Sequence, residues 1–330
     1  MVDFTIAIPT YNGEQRLPNL LEHLRSQMNL DAIAWEILVI DNNSKDATAA
    51  IVQAFQADFP CPIHYYLEAQ QGAAYARKRA IQVAQSDLIG FLDDDNLPDP
   101  NWVMEAYRFA QTHPNAGAYA SQIHAEFEVT PPPNFQRILP FLAITERGSK
   151  PLRYERHQRI LPPSAGLVVR KPAWINNVPS QTILSGRVEG CMLTGEDLEV
   201  LSYIQRSGWE IWYNPDMKLS HKIPAWRLEK AYLMPFFRGI GLSRYVTRMI
   251  SIAPWQRPLM LLIYMANDLR KIIVHLIKYQ LRMKADLIAA CELELLIGSF
   301  ISPIYLWKNG YLNKFKHRVN YSNKTTEAIH

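Results

Sequence analysis

Residues 88–100, LIGFLDDDNLPDP, carry an apolar run straight into three consecutive carboxylates. Like charges ~5 Å apart repel by about 3 kcal/mol per pair at an effective dielectric of ~20. A fold keeps Asp93, Asp94 and Asp95 together only by solvating them fully or by setting cations against them. One reading is a solvated turn, because Asn96, Pro98 and Pro100 are loop-forming residues. The other is a divalent-metal site at the carboxyl end of a strand.

The preceding sequence favours a strand. Phe4–Ile8 (FTIAI), Glu36–Ile40 (EILVI), Ile63–Leu67 (IHYYL) and Leu88–Leu92 (LIGFL) are short apolar runs, and EILVI suits a strand buried on both faces. Between them Leu17, Leu20, Leu21 and Leu24 recur at helical spacing. Ala47, Ala50, Ile51, Ala54 and Phe55 repeat the pattern, with Ser44 as a candidate N-cap. GAAYARKRAIQVA (72–84) is a third helix. The alternation predicts βαβ units, an α/β fold with a Rossmann-like, mainly parallel sheet flanked by helices. Ligands of such sheets sit beyond the carboxyl ends of the strands. The segments just past them are PTYN (9–12), DNNS (41–44) and DDDN (93–96), so all three are expected on one rim. Asp41 there can bond a base or ribose, and the acidic triplet can hold a metal.

Mg2+ and Mn2+ favour oxygen ligands, and one or two carboxylates suffice when a diphosphate completes the shell. In an extended backbone Asp93 and Asp95 point the same way and Asp94 points elsewhere, toward an N–H or an arginine. Arg77 and Arg79, in ARKR on the third helix, are candidates for Asp94 or for a phosphate. Glu196 and Asp197 open a helix (EDLEVLSYIQRSG, ended by Gly208). They read equally as helix-start charges and as a general base, and spacing does not separate the two. His221 follows a strand candidate. It matters only beside Asp95, where imidazole is acceptable to Mn2+.

The 330 residues, 48% of them hydrophobic, suffice for a large core. Cys61, Cys191 and Cys291 are too scattered for a disulfide framework, which suits a reducing compartment. The start, MVDFTIAIPTYN, has no basic segment leading into a long apolar one, so no signal peptide is expected. Residues 113–163 read as irregular, with VTPPPNF an extended connection. GLVVRKPAW predicts a strand and a short helix, WEIWY another strand, and the chain after Trp226 reads as helices to about Trp307; the last residues, NYSNKTTEAIH, are expected to fray. From Ala225 on there are 16 Lys and Arg against 6 Asp and Glu, a balance of +10 in a chain of +4, which leaves −6 before it. Nucleic acid and an anionic membrane surface are both partners for such a tail. Neither PLMLLIYMA (258–266) nor LELLIGSFISPIYLW (293–307) reaches a spanning length free of interruption. With Arg257, Arg270, Lys271, Lys278 and Arg282 they read as helices on a membrane surface or as a buried subdomain with a solvated basic face.

Missing motifs narrow the chemistry. No GxGxxG follows the first strand and no GxxxxGK[ST] occurs, which disfavours dinucleotide-binding dehydrogenases and P-loop NTPases. No GxSxG elbow and no zinc-like Cys/His spacing is present.

AIPTYNGEQRLPNLLEHL, EILVIDNNSKDAT, QGAAYARKRAIQVAQSDLIGFLDDDNLPDPNWV, GEDLEVLSYIQRSGWEIWYNP and LSHKIP follow one another as in family 2 glycosyltransferases, over roughly residues 1–225. The part from GAYASQIHAEF through the basic tail resembles, more narrowly, cyanobacterial glycosyltransferases of hormogonium polysaccharide biosynthesis. The resemblance implies a GT-A fold over 1–225, with 226–330 a basic helical extension that binds membrane or acceptor. It implies a nucleotide-sugar donor (UDP by default), a bridging Mn2+ or Mg2+, inversion at the anomeric carbon, and a glycan or lipid-linked acceptor in exopolysaccharide synthesis. It implies a cytoplasmic enzyme, peripheral at the inner face of the plasma membrane, that does not act on nucleic acid. By position, Pro9, Thr10, Tyr11, Asn12 and Glu14 would line the nucleotide pocket, Asp41 would bond the base, and Arg77 would approach base or phosphate. Asp93 and Asp94 would contact the donor, Asp95 would bind the metal with Asp93 and His221, and Asp197 would deprotonate the acceptor with support from Glu196. The chain departs from the family pattern at Lys78, where an asparagine is usual, and at SGRVEGCMLT (185–194), where GGFDE is usual. A sugar nucleotidyltransferase and a non-catalytic nucleotide-sugar scaffold are the alternatives; the first would release pyrophosphate and the second would not turn over.

Overall fold

The computed structural model describes residues 1–312 other than 159, 189, 191 and 281–284, so Cys191, Arg282 and NYSNKTTEAIH lie outside the described residues. It divides into two compact units, Met1–Ser180 with Val200–Leu228, and Gln181–Glu199 with Glu229 onward.

The first unit opens with the expected alternation: β1 (Phe4–Thr10), α1 (Leu17–Arg25), β2 (Trp35–Asp41), α2 (Thr48–Gln56), β3 (Ile63–Leu67), α3 (Ala73–Val83) and β4 (Leu88–Phe91). Every residue of β2 and β4 is buried, which is why Ile37–Ile40 and Leu88–Phe91 are apolar without a polar alternation. β1 pairs in parallel with β2 and β4, and β2 with β3. Loops leaving β1, β2 and β4 therefore emerge on the same edge. Ser44 does not cap α2. Ala47 stands at its N-terminus, and the Ser44 hydroxyl instead accepts the Asn12 N–H at 2.8 Å.

Beyond β4 come β5 (Asn96–Pro98), α4 (Trp102–Thr112), β6 (Ala116–Phe127), β7 (Leu152–Arg153), β8 (Leu167–Arg170), α5 (Lys171–Ile175), α6 (Glu196–Arg206) and β9 (Glu210–Ile223). The sheet runs β3-β2-β1-β4-β8-β6-β9-β5, with β7 also on β9. It is mixed rather than mainly parallel. β8 lies antiparallel to both β4 and β6, and β5 and β7 are antiparallel to β9. β8 returns through the long segment 128–166, not through a helical crossover, so nothing forces it parallel.

β6 lies in the region read as irregular. Its alanines, serine and glycine give little strand signal, and burial between β8 and β9 overrides them. WEIWY and MKLSHKI are one strand, β9, interrupted where Asn214 and Lys218 take successive partners on β6. That irregularity accommodates Pro215, which has no N–H for a ladder. His221 thus lies within a strand, opposite Asn96 of β5, not after one.

The second unit holds α7 (Lys230–Met249), α8 (Arg257–Tyr279) and α9 (Leu287–Lys308). α7 and α9 pack backbone to backbone: a Cβ on Gly241 would stand 2.5 Å from the Leu295 carbonyl oxygen and 2.8 Å from Gly298 Cα. Contrary to the sequence reading, α9 is by length and composition apolar enough to cross a membrane. It starts at Leu287, ahead of Glu292 and Glu294, so its apolar residues outnumber those in the run after the acids. Glu294 pairs with Arg238 of α7. Gly298, Ser299 and Ser302 are buried.

Candidate active site

Three arginines answer the three carboxylates, one each. Arg77 of α3 donates to Asp93 at 3.2 Å. Arg16, just before α1, grips Asp94 with Nε at 2.8 Å and Nη2 at 3.0 Å. Arg227, just past β9, reaches Asp95 at 2.9 Å. The repulsion within the triplet is offset by separate cations approaching from three parts of the chain. Only the Arg227–Asp95 pair is largely out of water on both sides, and such a pair is held strongly as long as both partners remain.

The triplet is not extended. The Asn96 N–H closes a turn on the Asp93 carbonyl at 2.9 Å. Asp93 and Asp95 therefore do not act as neighbours on one face, and their partners differ. The predicted set of Asp93, Asp95 and His221 is brought together only in part, and among the described residues no group of three or more His, Cys, Asp or Glu side chains could hold a metal ion. Asp95 and His221 do meet. Asp95 Oδ2 lies 3.3 Å from His221 Nε2, and the same Arg227 Nη1 stands 3.2 Å from that nitrogen. Guanidinium only donates, so the Arg227 contact uses Nε2 as acceptor in the tautomer with its proton on Nδ1, whereas the Asp95 contact uses the other tautomer, with Nε2–H donating to Oδ2. Nδ1 is buried without a hydrogen-bond partner among the described residues. A carboxylate oxygen and an imidazole nitrogen thus lie within reach of one cationic nitrogen. Carboxylate oxygen and imidazole nitrogen are both donor types that suit Mn2+.

Asp94 does turn elsewhere, but to Arg16, not to Arg77 or Arg79. Arg79 lies over the Tyr66 ring. The Thr10 hydroxyl also donates to Asp94, at 2.7 Å. Burial pushes the Asp94 carboxyl up against the opposing pull of Arg16, while the bond to Asp94 raises Arg16. Gly13 makes this junction possible, because a Cβ there would sit 2.1 Å from Thr10 Oγ1.

The other predicted residues lie on the expected edge, several of them committed to the scaffold. Pro9 sits in β1 opposite Ile40. Asn12 adopts φ 50°, donates its N–H to Ser44 and accepts the Lys45 N–H at 2.9 Å. Glu14 accepts the Ala47 N–H at 2.8 Å and gives its own to Asp46. Asn12 and Glu14 thereby lace the β1 loop to the β2 loop. Asp41, buried at the end of β2, accepts the Ser44 N–H at 2.8 Å and the Tyr65 hydroxyl at 2.7 Å. Burial, with the bond to Asp41, pushes the Tyr65 phenol up to about 12. Tyr11 is exposed, and its carbonyl accepts from Arg16.

A pocket of about 550 Å³ opens beside Asp94 and Asp95, its wall including Gln15, Arg16, Phe127, Glu128, Trp226 and Arg227. Sequence reasoning missed Arg16 and Arg227. The available signal is charge balance: three adjacent acids need three cations, and the ARKR helix offers only Arg77 and Arg79 as candidates.

Glu196 and Asp197 belong to the second unit. Both are partly exposed at the start of α6, and Asp197 Oδ1 accepts the Leu198 N–H at 2.7 Å. Two residues on, Glu199 is fully buried and accepts N–H bonds from Ile183 and Leu184 at 2.8–3.0 Å. It pins the preceding loop to the start of α6. Glu199→Ala strands those two donors and is expected to cost about 2–4 kcal/mol, read from denaturant unfolding. A loss below about 0.5 kcal/mol would show that the loop is held by something else.

The family model for glycosyl transferase family 2 matches residues 5–178, more than half of the chain. This chain belongs to glycosyl transferase family 2. Its fold is of the GT-A type: Staphylococcus aureus TarS 1-349 in complex with UDP-GlcNAc superposes with a TM-score of 0.54 at 13% identity, covering 94% of this chain and 92% of that one. Among curated relatives, the uncharacterized glycosyltransferase YfnE of Bacillus subtilis is 39% identical over 93 residues, 28% of this chain and 23% of that protein. The poly(ribitol-phosphate) beta-N-acetylglucosaminyltransferase TarS of S. aureus is 26% identical over 113 residues, 34% of this chain and 20% of that one. The matched segments thus span about a quarter or less of these two curated relatives.

Proposed function

We propose that this chain is a metal-dependent, inverting glycosyltransferase. It moves a sugar from a nucleotide-sugar donor, a UDP-sugar by default, to a glycan or lipid-linked acceptor in exopolysaccharide assembly. The observation that carries this reading is the Asp95–His221 pair, with one guanidinium nitrogen within reach of both, on the edge where β1, β2 and β4 end. Family membership supports a sugar donor, and the UDP-GlcNAc complex of the S. aureus neighbour supports UDP.

Asp95 and His221 would hold Mn2+ or Mg2+, and the ion, when bound, neutralises charge on the departing nucleoside diphosphate. Asp41, Tyr65 and Arg77 border the nucleotide side. The pocket walled by Phe127 and Trp226 offers a sugar-sized space beside Asp95. Asp197 takes the proton of the acceptor hydroxyl, with Glu196 beside it. Inversion needs no covalent intermediate, so no second carboxylate acts as nucleophile.

A thermal-shift screen of UDP-, GDP- and dTDP-sugars, with and without Mn2+, tests the donor. One base should raise Tm by about 5 °C at a hundredfold excess over Kd, and only with Mn2+. No shift with any nucleotide sugar would end the reading. Release of pyrophosphate instead of nucleoside diphosphate would replace it with the nucleotidyltransferase.

A further inference from the structure

Helix α8 is amphipathic in the wrong sense for water. Helices on a soluble surface turn apolar residues inward and polar ones outward. In α8 the two buried side chains are Asp268 and His275. Asp268 accepts from Arg248 of α7 at 2.7 and 3.0 Å and from the Ser299 hydroxyl of α9 at 2.6 Å. His275 Nε2 meets the Ala289 carbonyl at 2.9 Å, and Arg248 lies over the ring of Tyr264. Asp268 and His275 are thus spent on the inner side of the helix. Leu259, Leu262, Ile263, Leu269, Ile273 and Ile277 are 46–66% exposed. At 100° per residue these six fall on the side of the helix opposite Asp268. Trp255, immediately before the helix, is 80% exposed.

The charges select what covers this face. Residues 257–279 contain Arg257, Arg270, Lys271 and Lys278 and one acid, Asp268. Asp268 is buried and paired, so every formal charge α8 offers outward is positive. The complementary surface is apolar and anionic at once. A second copy of this chain, placed on the face by a two-fold axis, would set the basic side chains of one copy against those of the other, which disfavours it. An anionic bilayer meets both requirements. Aliphatic side chains enter the acyl boundary, long basic side chains reach back to headgroup phosphates, and tryptophan suits the interface.

We propose that α8 docks this protein on an anionic lipid surface, lying in the plane of the bilayer with its apolar face inserted. This goes beyond the enzyme reading and does not depend on it.

The test is co-sedimentation of the full chain with vesicles of phosphatidylglycerol and phosphatidylcholine, or of phosphatidylcholine alone, at low and high salt. Binding should be at least about tenfold tighter to the anionic vesicles and should weaken with salt. The combined variant Leu262→Gln/Ile273→Gln/Ile277→Gln changes only outward positions. It should keep the wild-type Tm and lose about tenfold or more in vesicle affinity. Arg270→Gln/Lys271→Gln/Lys278→Gln should lose the preference for anionic lipid. Absence of binding by the wild type, or undiminished binding by the apolar variant, overturns the proposal. So does a wild-type dimer that the apolar variant converts to monomer, because the face would then be a subunit interface.

Discussion

Asp95→Asn is expected to lower kcat/KM by about 10³-fold or more at saturating Mn2+ and to abolish the Mn2+-dependent part of donor binding. The substitution keeps the shape of the side chain and removes its charge. Asp95 is buried, and its carboxylate is what Arg227 and His221 share. An amide cannot balance a divalent ion and can itself donate toward the His221 nitrogen. A few kcal/mol of lost charge stabilisation at the departing diphosphate corresponds to a loss of that size. Two readouts separate a site effect from a folding effect: ligand-free unfolding, expected to stay cooperative though at a Tm lowered by the broken ion pair, and the Mn2+-induced shift with donor, expected to vanish. Activity within tenfold of wild type would remove Asp95 from the centre of the site. Arg227→Gln makes the complementary case. It takes away the guanidinium that faces Asp95 and His221, so it should weaken neither the Mn2+ dependence nor the donor shift.

The first half of the sheet was readable because each element there obeys a local rule. β2 and β4 are buried on both faces and contain unbroken apolar runs, and α1 carries its leucines at helical spacing. The converging loops followed from topology alone. Thr10 meets Asp94 and Asn12 meets Ser44 because parallel neighbours must release their loops on one edge. What escaped depends on contacts distant in sequence. β6 is a strand through its neighbours, not through its alanines. The partner of Asp94 is 78 residues away, and Arg227 was read only as part of a basic tail. The turn that separates Asp93 from Asp95 depends on one backbone bond from Asn96, which no side-chain pattern announces. Asn12 and Glu14 illustrate a different limit. A motif position marks where a residue sits, and only the bonds show that these two tie loops together.

Asp197→Asn is expected to lower kcat by about 10²–10⁴-fold while leaving donor affinity nearly unchanged. A sugar hydroxyl is a poor nucleophile until its proton is removed as the new bond forms. Asparagine has no lone pair basic enough to take it. Asp197 stands in the first turn of α6, where the helix dipole favours negative charge, and it is partly exposed, as a group that must meet an incoming acceptor has to be. Glu196 shares the turn, whereas Glu199 is fully buried and accepts the Ile183 and Leu184 N–H groups, so it does not face an acceptor. The same position has a purely structural reading, a helix-start charge worth about 0.3–1 kcal/mol. The two readings separate on the pH profile. A base contributes the ascending limb of kcat against pH, so that limb should disappear in Asp197→Asn and persist in Glu196→Gln. A helix-start charge changes Tm slightly and leaves the limb in place. Loss of donor binding with kcat preserved would contradict the base assignment outright. It would place Asp197 on the donor side of the reaction.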